Sequence, residues 1–145
     1  MIVAAQNAGI DARLFDYLYK ALQDTAYYNL LGIELTRLGP GESQFEVETS
    51  AKHANPLGVI HGGLMTSLAD AAMGNAIRSL GITAVTADIS VAMIAAAPFG
   101  ERLVGKGKVV KAGRNLIFAE AGVWAGERLI SQSKGTFLRI GDISL

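Results

Sequence analysis

Apolar side chains recur along this chain with two different spacings. Over about residues 11–28 and 62–80 they fall at every third or fourth position, the period of a helix with one buried face. Six other segments have the alternation or the composition of strands, namely residues 32–38, 43–49, 83–94, 102–111, 115–124 and 128–140. We predict an N-terminal helical segment over about residues 11–30, with Asp11 as its N-cap and a break near Asp24, followed by a core of about residues 32–140.

Short turns rich in glycine and proline separate the predicted strands. They fall at residues 39–41, 98–100, 112–113 and 125–127, so consecutive strands can pair antiparallel. The chain therefore predicts an α+β fold in which a mostly antiparallel sheet wraps around one long buried helix. Alternation over residues 83–94 predicts two opposite faces, with Val85, Ala87, Ile89, Val91 and Met93 on one and Thr86, Asp88 and Ser90 on the other.

The long helix carries two distinct faces. At 100° per residue one face is a core stripe of Leu64, Met65, Leu68, Ala69, Ala72 and Ala76. A second face is made of Gly63, Ser67, Asp70 and Gly74, which are the smallest residues of the helix and one acid. Small residues at this spacing permit close approach by another backbone or by a ligand.

The long helix begins at His61-Gly62-Gly63, after a loop that contains Asn55. The first amides of a helix have no acceptor within it, so the Gly62 N–H could donate to a carbonyl oxygen and to the oxyanion formed on attack. The glycines equally suit a chain that only turns from loop to helix. His61 could orient Gly62 or contact an acyl group, and Asn55 could hold the loop or a water; structural roles fit both residues as well.

Asp70 is the sharper signal, because a carboxylate two turns inside such a helix is costly to bury without a partner. It could act as a general base or as a nucleophile toward an acyl carbon, or it could lie exposed on a solvent face. Asp70 is eight residues from Gly62, about 12 Å along the helix axis. If both act on one substrate, they must come from two copies of the chain, which predicts a two-fold homodimer.

Composition limits the remaining possibilities. The 145 residues suit one domain over 1–145, and a net charge of zero argues against general nucleic-acid binding. The absence of cysteine excludes disulfides, thiolate zinc sites and a cysteine nucleophile, and two histidines argue against a metal centre. Residues 1–10 lack the basic start of a signal peptide, and no apolar run is long enough to span a membrane. We therefore expect a cytoplasmic protein that is not in a membrane.

Local charge adds one candidate binding surface. Between Arg102 and Ala119 five basic residues occur without an acid: Arg102, Lys106, Lys108, Lys111 and Arg114. Such a patch would suit the phosphates of coenzyme A, with Arg114 at the turn as the phosphate contact; a solvated edge strand protected by lysines explains it equally well. The predicted substrate-binding residues are Gly63, Lys108, Lys111, Gly113, Arg114 and Asn115.

Several motifs at fixed offsets resemble one family. They are His53-x-Asn55, Gly58, His61-Gly62-Gly63, Asp70, Thr86-Ala87-Asp88 and Pro98-x-Gly100-Glu101. As a set they resemble the hotdog-fold acyl-CoA thioesterases of the phenylacetic-acid-degradation (PaaI-like) group, over roughly residues 32–140. In place of an aromatic residue that this group often has after the Thr86 strand, this chain has the run at residues 93–97, which predicts a less aromatic and roomier acyl pocket.

The resemblance implies a homodimer joined sheet edge to sheet edge, often paired again into a homotetramer. Asp70 would be the base or nucleophile and the Gly62 amide would polarise the thioester carbonyl of an acyl- or aryl-acyl-CoA. Asn55 and His61 would position the water and the loop, and Thr86 would assist. No separate cofactor is expected, since coenzyme A is part of the substrate. A hotdog hydratase or dehydratase and a non-catalytic acyl-CoA-binding protein are the alternatives, although the N-terminus lacks the basic helix-turn-helix of such sensors.

Overall fold

A computed structural model describes residues 4–145 of the chain. Residues 1–3 lie outside the described residues. They belong to the predicted domain over 1–145 and to the N-terminal segment for which no signal peptide is expected. The helices and strands are β1 (Gln6–Asn7), α1 (Ala12–Gln23), α2 (Ala26–Leu31), β2 (Glu34–Gly39), β3 (Glu42–Glu48), α3 (Gly62–Arg78), β4 (Ile82–Met93), β5 (Arg102–Ala112), β6 (Leu116–Ala125) and β7 (Arg128–Asp142).

The N-terminal helical segment is divided where the sequence predicted. Asp11 caps α1 through its Oδ1, which accepts from the amides of Arg13 at 2.8 Å and Leu14 at 3.4 Å. The chain leaves the helix at Asp24, and α2 then ends at Gly32, whose φ of +76° is the left-handed conformation that glycine adopts without strain. The short strand β1, which pairs parallel with β2, has no alternation long enough to predict it.

One seven-stranded sheet forms in the order β1-β2-β3-β5-β6-β7-β4. All pairs except β1–β2 are antiparallel, so the predicted α+β class and the helix-wrapping antiparallel sheet are confirmed. The helix α3 carries the chain across the concave face, from β3 to β4 at the far edge. In residues 4–145 no helix is both long and apolar enough to cross a bilayer.

Glycines in β5 let the sheet come close to α3. A Cβ at Gly107 would lie 2.4 Å from the Ala72 carbonyl carbon, and one at Gly105 would lie 2.8 Å from Leu68. The whole predicted core stripe of α3 is buried there, and so are Ala71, Met73, Asn75 and Ile77. The small-residue face that contains Asp70 stays partly exposed, so the two predicted faces are confirmed.

The predicted faces of β4 are wrong because the alternation of its side chains is interrupted at Ala87. Thr86 pairs with Phe137 and Asp88 with Thr136, so Ala87 is an extra residue that forms a β-bulge. The buried Phe137 faces α3, and its neighbour Thr86 therefore faces α3 as well. Thr86 and Ile89 thus share the inner face, whereas strict alternation had placed them on opposite sides.

Candidate active site

The start of α3 presents one capped amide and one free amide. His61 is the N-cap, and its Nδ1 accepts a hydrogen bond from the Gly63 N–H at 2.8 Å. Within residues 4–145 the Gly62 N–H makes no hydrogen bond, and the Met93 side chain lies 3.1 Å from where a Gly62 Cβ would be. The imidazole thus orients the helix start through Gly63 and not, as one alternative had it, through Gly62. The free donor at the positive end of the helix is Gly62.

Asn55 closes the loop that leads to this helix start. Its Oδ1 accepts from the amides of Leu57 at 2.9 Å and Val59 at 3.2 Å. The backbone N–H of Asn55 donates to the Val59 carbonyl at 2.8 Å. Of the two roles that the sequence leaves open for Asn55, the geometry supports holding the loop, because the side-chain oxygen already accepts two hydrogen bonds within it.

His53 has a larger structural role than its sequence position suggested. The ring is 4% exposed, Nε2 lies 2.7 Å from the Leu31 carbonyl, and Nδ1 accepts from the Ser50 amide at 3.1 Å. Its carbonyl accepts the His61 N–H at 2.7 Å. His53 therefore fixes the end of α2 to the start of α3, a connection between distant segments that only its place in the motif could have indicated.

Asp70 has a specific partner on β4. Its Oδ1 accepts from Thr86 Oγ1 at 2.7 Å, and its side chain is neither fully buried nor on an open solvent face. The bulge at Ala87 makes this contact possible by turning Thr86 toward α3. The hydroxyl donor orients the carboxylate.

The tyrosines of α2 cover the small-residue face beside Asp70. A groove of about 410 Å³ at Asp70 is lined by Thr25, Tyr27, Tyr28, Thr66, Ser67 and Ile89. Tyr27 Oη lies 2.6 Å from Ser67 Oγ, which ties α2 to α3. Burial, and after it the charge of Asp70, raises the pKa of Tyr28; the amide of Asn75 and the charge of Arg78 oppose the shift. The N-terminal segment thus forms one wall of the groove.

A second groove lies at the other end of the same helix face. It measures about 240 Å³ and contacts His61 and Gly63 of the helix start, Lys52 and His53 of the loop, and Tyr27. Gly62 and Asp70 are about 12 Å apart along α3, so the free amide and the carboxylate of one chain lie too far apart to contact the same atom. Within residues 4–145 no three His, Asp or Glu side chains converge as a metal site would need.

The predicted basic patch is divided by ion pairs on the outer face of the sheet. Arg102 donates to Glu46 and Glu48, each at 2.6 Å, and Lys108 lies 3.5 Å from Glu120. The strand β5 lies between β3 and β6, so the alternative of a lysine-protected edge strand is wrong. Among residues 4–145, Lys106, Lys111 and Arg114 form no ion pair within 4.0 Å.

The turn from β5 to β6 is held to β7. The Arg139 amide donates to the Asn115 carbonyl at 2.8 Å, and the Gly113 amide donates to Leu116 O at 2.9 Å. Arg114 and Lys111 are exposed at this turn. Of the predicted substrate-binding residues, only Gly63 lines either of the two grooves on α3. The structure of one chain does not bring the others to Asp70.

A mostly antiparallel sheet wrapped around one long central helix is the hotdog fold of thioester hydrolases. The chain belongs to the thioesterase superfamily, whose sequence profile matches residues 57–131, just over half of the chain. The predicted family and fold are thereby confirmed.

Individual relatives agree with this placement. The human acyl-coenzyme A thioesterase 13 is 30% identical over 108 residues, which cover 72% of this chain and 77% of that protein. A hypothetical thioesterase protein of Streptococcus pneumoniae, solved with coenzyme A, is 25% identical with a TM-score of 0.74, covering 77% of this chain and 91% of that one. The E. coli PaaI protein has the same fold, with a TM-score of 0.86 at 21% identity over 94% of this chain and all of that one.

Proposed function

We propose that the protein hydrolyses an acyl- or aryl-acyl-CoA thioester to the free acid and coenzyme A, at sites formed between two subunits. The observation that carries the proposal is the separation of two complementary half-sites along α3. One end offers the free Gly62 amide, and about 12 Å away Asp70 is oriented by Thr86. An aspartate side chain cannot span that distance, so the two groups serve one thioester only if they come from different chains.

The chemistry follows from these two groups. The Gly62 amide of one subunit donates to the thioester carbonyl and stabilises the negative charge that develops on its oxygen. Asp70 of the other subunit either attacks the carbonyl carbon or removes a proton from a water that attacks it. In the general-base route the C–S bond breaks, the proton that Asp70 took from water passes to the leaving thiolate, and the water oxygen ends in the carboxylic acid. In the nucleophilic route loss of the thiolate leaves an acyl–aspartyl anhydride, which water cleaves to the free acid and Asp70, and the proton released goes to the thiolate. Thr86 holds Asp70, while His61 and Asn55 hold the helix start and its loop.

The free edge of the sheet supports the pairing of two subunits. The strand β4 is the last strand of the sheet and pairs only with β7 among the strands of residues 4–145. Long exposed edges of this kind are templates for pairing with another chain, and Val85 and Met93 are each 48% exposed on β4. Pairing two β4 strands antiparallel lays the two α3 helices side by side in opposite directions, which brings each Asp70 toward the other helix start.

A second surface would support a homotetramer. The outer face of the sheet exposes apolar side chains at neighbouring register positions on β4, β6 and β7, namely Val85, Leu116, Phe118, Leu138 and Ile140. Exposed apolar patches on a folded protein mark interaction surfaces. Two dimers packed through these faces would remove the patch from water.

The exposed basic side chains of the β5–β6 turn would bind the phosphates of coenzyme A. Lys111 and Arg114 are exposed at the turn between β5 and β6 and are available to phosphate oxygens. In the dimer we place this turn, with Gly113 and Asn115, at the nucleotide end of the substrate, and Lys108 nearby despite its contact with Glu120. The pneumococcal relative solved with coenzyme A supports this substrate class.

The test is direct hydrolysis of a panel of acyl-CoAs, aliphatic and aromatic, followed with a thiol-detecting reagent. We expect thiol release from at least one thioester and its loss in Asp70→Asn, with the exposed α1 variant Asp16→Asn as the matched control. Binding of acyl-CoA without thiol release from any substrate would favour the non-catalytic alternative. Hydration of an enoyl-CoA without thiol release would favour the hydratase.

A further inference from the structure

A third cavity lies behind the Asp70 groove, against the two N-terminal helices. It measures about 230 Å³. Its lining has an apolar and aromatic part, formed by Tyr19, Leu22, Tyr28, Ile33, Leu35 and Phe45, and a polar part, formed by Gln23, Asn29 and Glu34. At roughly 30 Å³ for each water-sized group, it has room for about seven or eight such groups. Neither the free amide nor Asp70 contacts this cavity, so the chemistry described above leaves it without a role.

Tyr28 separates this rear cavity from the Asp70 groove, because its side chain lines both. The ring is half-buried and packs edge-on against Phe45, with 5.9 Å between the ring centroids. Phe45 in turn is fully buried on the inner face of β3. Tyr28 is thus the one residue that the two linings share, and its ring is supported from behind by a second aromatic ring.

The helix that carries Tyr28 is held at both sides. Tyr27, the preceding residue, contacts Ser67 of α3 through its hydroxyl at 2.6 Å. The Leu31 carbonyl at the end of α2 lies 2.7 Å from Nε2 of the buried His53. These contacts set the distance of α2 from α3, and hence the position of the Tyr28 ring.

We propose that Tyr28 is a specificity-determining residue that limits the length of the acyl group by closing the Asp70 groove off from the rear cavity. The inference rests on the proposed function. A carbonyl carbon attacked with the help of Asp70 must lie beside that carboxylate, so the acyl chain begins in the Asp70 groove. A chain that grows from there along α2 meets the Tyr28 ring. Beyond the ring lie the apolar side chains of Leu22, Ile33 and Leu35, against which further methylenes would pack.

The test compares chain-length profiles of the wild-type protein with those of two truncations, Tyr28→Ala and Tyr28→Leu. Straight-chain substrates from butanoyl- to hexadecanoyl-CoA are used, with thiol release as the readout. We expect the kcat/KM ratio of long over short substrates to rise about tenfold or more in both truncations, the factor expected when two further methylenes leave water. Tyr28→Phe keeps the ring and is expected to keep the wild-type length profile.

A filling variant checks that the rear cavity receives the added length. In the Tyr28→Ala background, Leu35→Phe occupies part of that cavity and should return the profile toward shorter chains. Thermal unfolding of each variant shows whether it is folded. If Tyr28→Ala does not fold, the chain-length profile of Tyr28→Leu is compared with that of the wild type. Wild-type turnover with an unchanged profile in a folded truncation, or no reversal by Leu35→Phe, would overturn this inference alone. Absence of wild-type turnover on every thioester would overturn the proposed function and this inference with it.

Discussion

Thr86 Oγ1 donates a 2.7 Å hydrogen bond to Asp70 Oδ1, joining the edge strand β4 to the middle of α3. The contact exists because the bulge at Ala87 turns Thr86 inward. Within residues 4–145 the second carboxylate oxygen of Asp70 accepts no hydrogen bond, so it is available to a water or a carbonyl carbon in the groove. Orientation of the acid thus depends on an irregularity in a strand.

Replacement of either partner should reduce turnover to a different extent. Asp70→Asn keeps the shape and removes the base, so we expect kcat to fall about 10²–10⁴-fold. Thr86→Val removes only the orienting hydrogen bond, and a loss of about tenfold matches the value of such a bond to a charged group. Steady-state kinetics on the best substrate of the panel measure both. If both variants lower kcat by the same small factor, Asp70 is not the catalytic base or nucleophile.

The free amide can be removed without disturbing the helix. Gly62 is the first residue of α3, where proline is well tolerated because the N–H has no acceptor in the helix. His61 has φ −65° and ψ 136°, a conformation allowed before proline. We expect Gly62→Pro to lower kcat about 10²–10³-fold, the loss typical of one oxyanion donor. Gly62→Ala adds the same Cβ contact with Met93 but keeps the N–H. Comparison of the two variants therefore separates the effect of the added Cβ from replacement of the N–H by the proline ring.

Asp70→Asn and Gly62→Pro together test whether the site lies between subunits. A mixed dimer of Asp70→Asn and Gly62→Pro chains contains one site with both defects and one site with neither. Activity should therefore reappear when the two inactive proteins are unfolded together and refolded, to about a quarter of wild type if subunits pair at random. No recovery from folded mixed dimers would place the acid and the amide in the same chain.

Coenzyme A recognition is tested at Arg114, which is exposed at the turn between β5 and β6. Arg114→Ala should raise KM for the acyl-CoA at least about fivefold, the loss typical of one exposed phosphate contact, with little change in kcat. A short thioester of the same acid that lacks the nucleotide supplies the comparison. An equal rise in KM on both thioesters would show that Arg114 does not bind the nucleotide.

The order of helices and strands and the two faces of α3 could be predicted from the sequence, because each depends on a local pattern. The spacing of apolar residues in α3 and the isolated Asp70 on its small face are visible in one stretch of chain. The direction of the Thr86 side chain could not be predicted from the sequence, because a bulge adds one residue and reverses the alternation that follows. The pairing of Arg102 with Glu46 was hidden for another reason: the two residues are far apart in sequence and meet only when β5 inserts beside β3.

The Arg102 ion pairs make stability depend on pH in a defined direction. Burial raises the pKa of Glu46, but hydrogen bonds from Arg102, Thr36 and Gln44 outweigh it and hold the pKa below the ordinary value of 4.5. A carboxyl with a depressed pKa stabilises the folded state above that value, and the contribution is lost as the pH falls below it. Glu46→Gln should therefore destabilise the protein at about pH 7, and the difference from wild type should shrink toward about pH 3.

Denaturant unfolding at the two pH values measures this difference. Glu127→Gln, in the exposed turn between β6 and β7, changes the net charge equally and serves as the control. A difference between Glu46→Gln and wild type that stays constant with pH would show that the Glu46 carboxylate contributes no pH-linked stability.

Close contact between β5 and α3 depends on the missing side chain of Gly107. A Cβ there would lie 2.4 Å from the Ala72 carbonyl carbon and 2.5 Å from its oxygen, and that carbonyl already accepts a hydrogen bond from Ser43 on β3. Backbone atoms of a buried helix cannot move aside as a flexible side chain can. We therefore expect Gly107→Ala to lower the free energy of unfolding by about 3 kcal/mol, the upper end of the cost of overpacking.

Gly141→Ala is the matched control, since that strand glycine has no atom within 4 Å of an added Cβ. Its effect should stay within about 0.5 kcal/mol, and urea unfolding with unchanged m-values compares the two variants. Because α3 carries both the Gly62 amide and Asp70, a helix displaced from β5 also moves both half-sites. Gly107→Ala should accordingly lose activity at temperatures where it is still folded, whereas equal stability and activity in both variants would contradict the observed seating of α3 on β5.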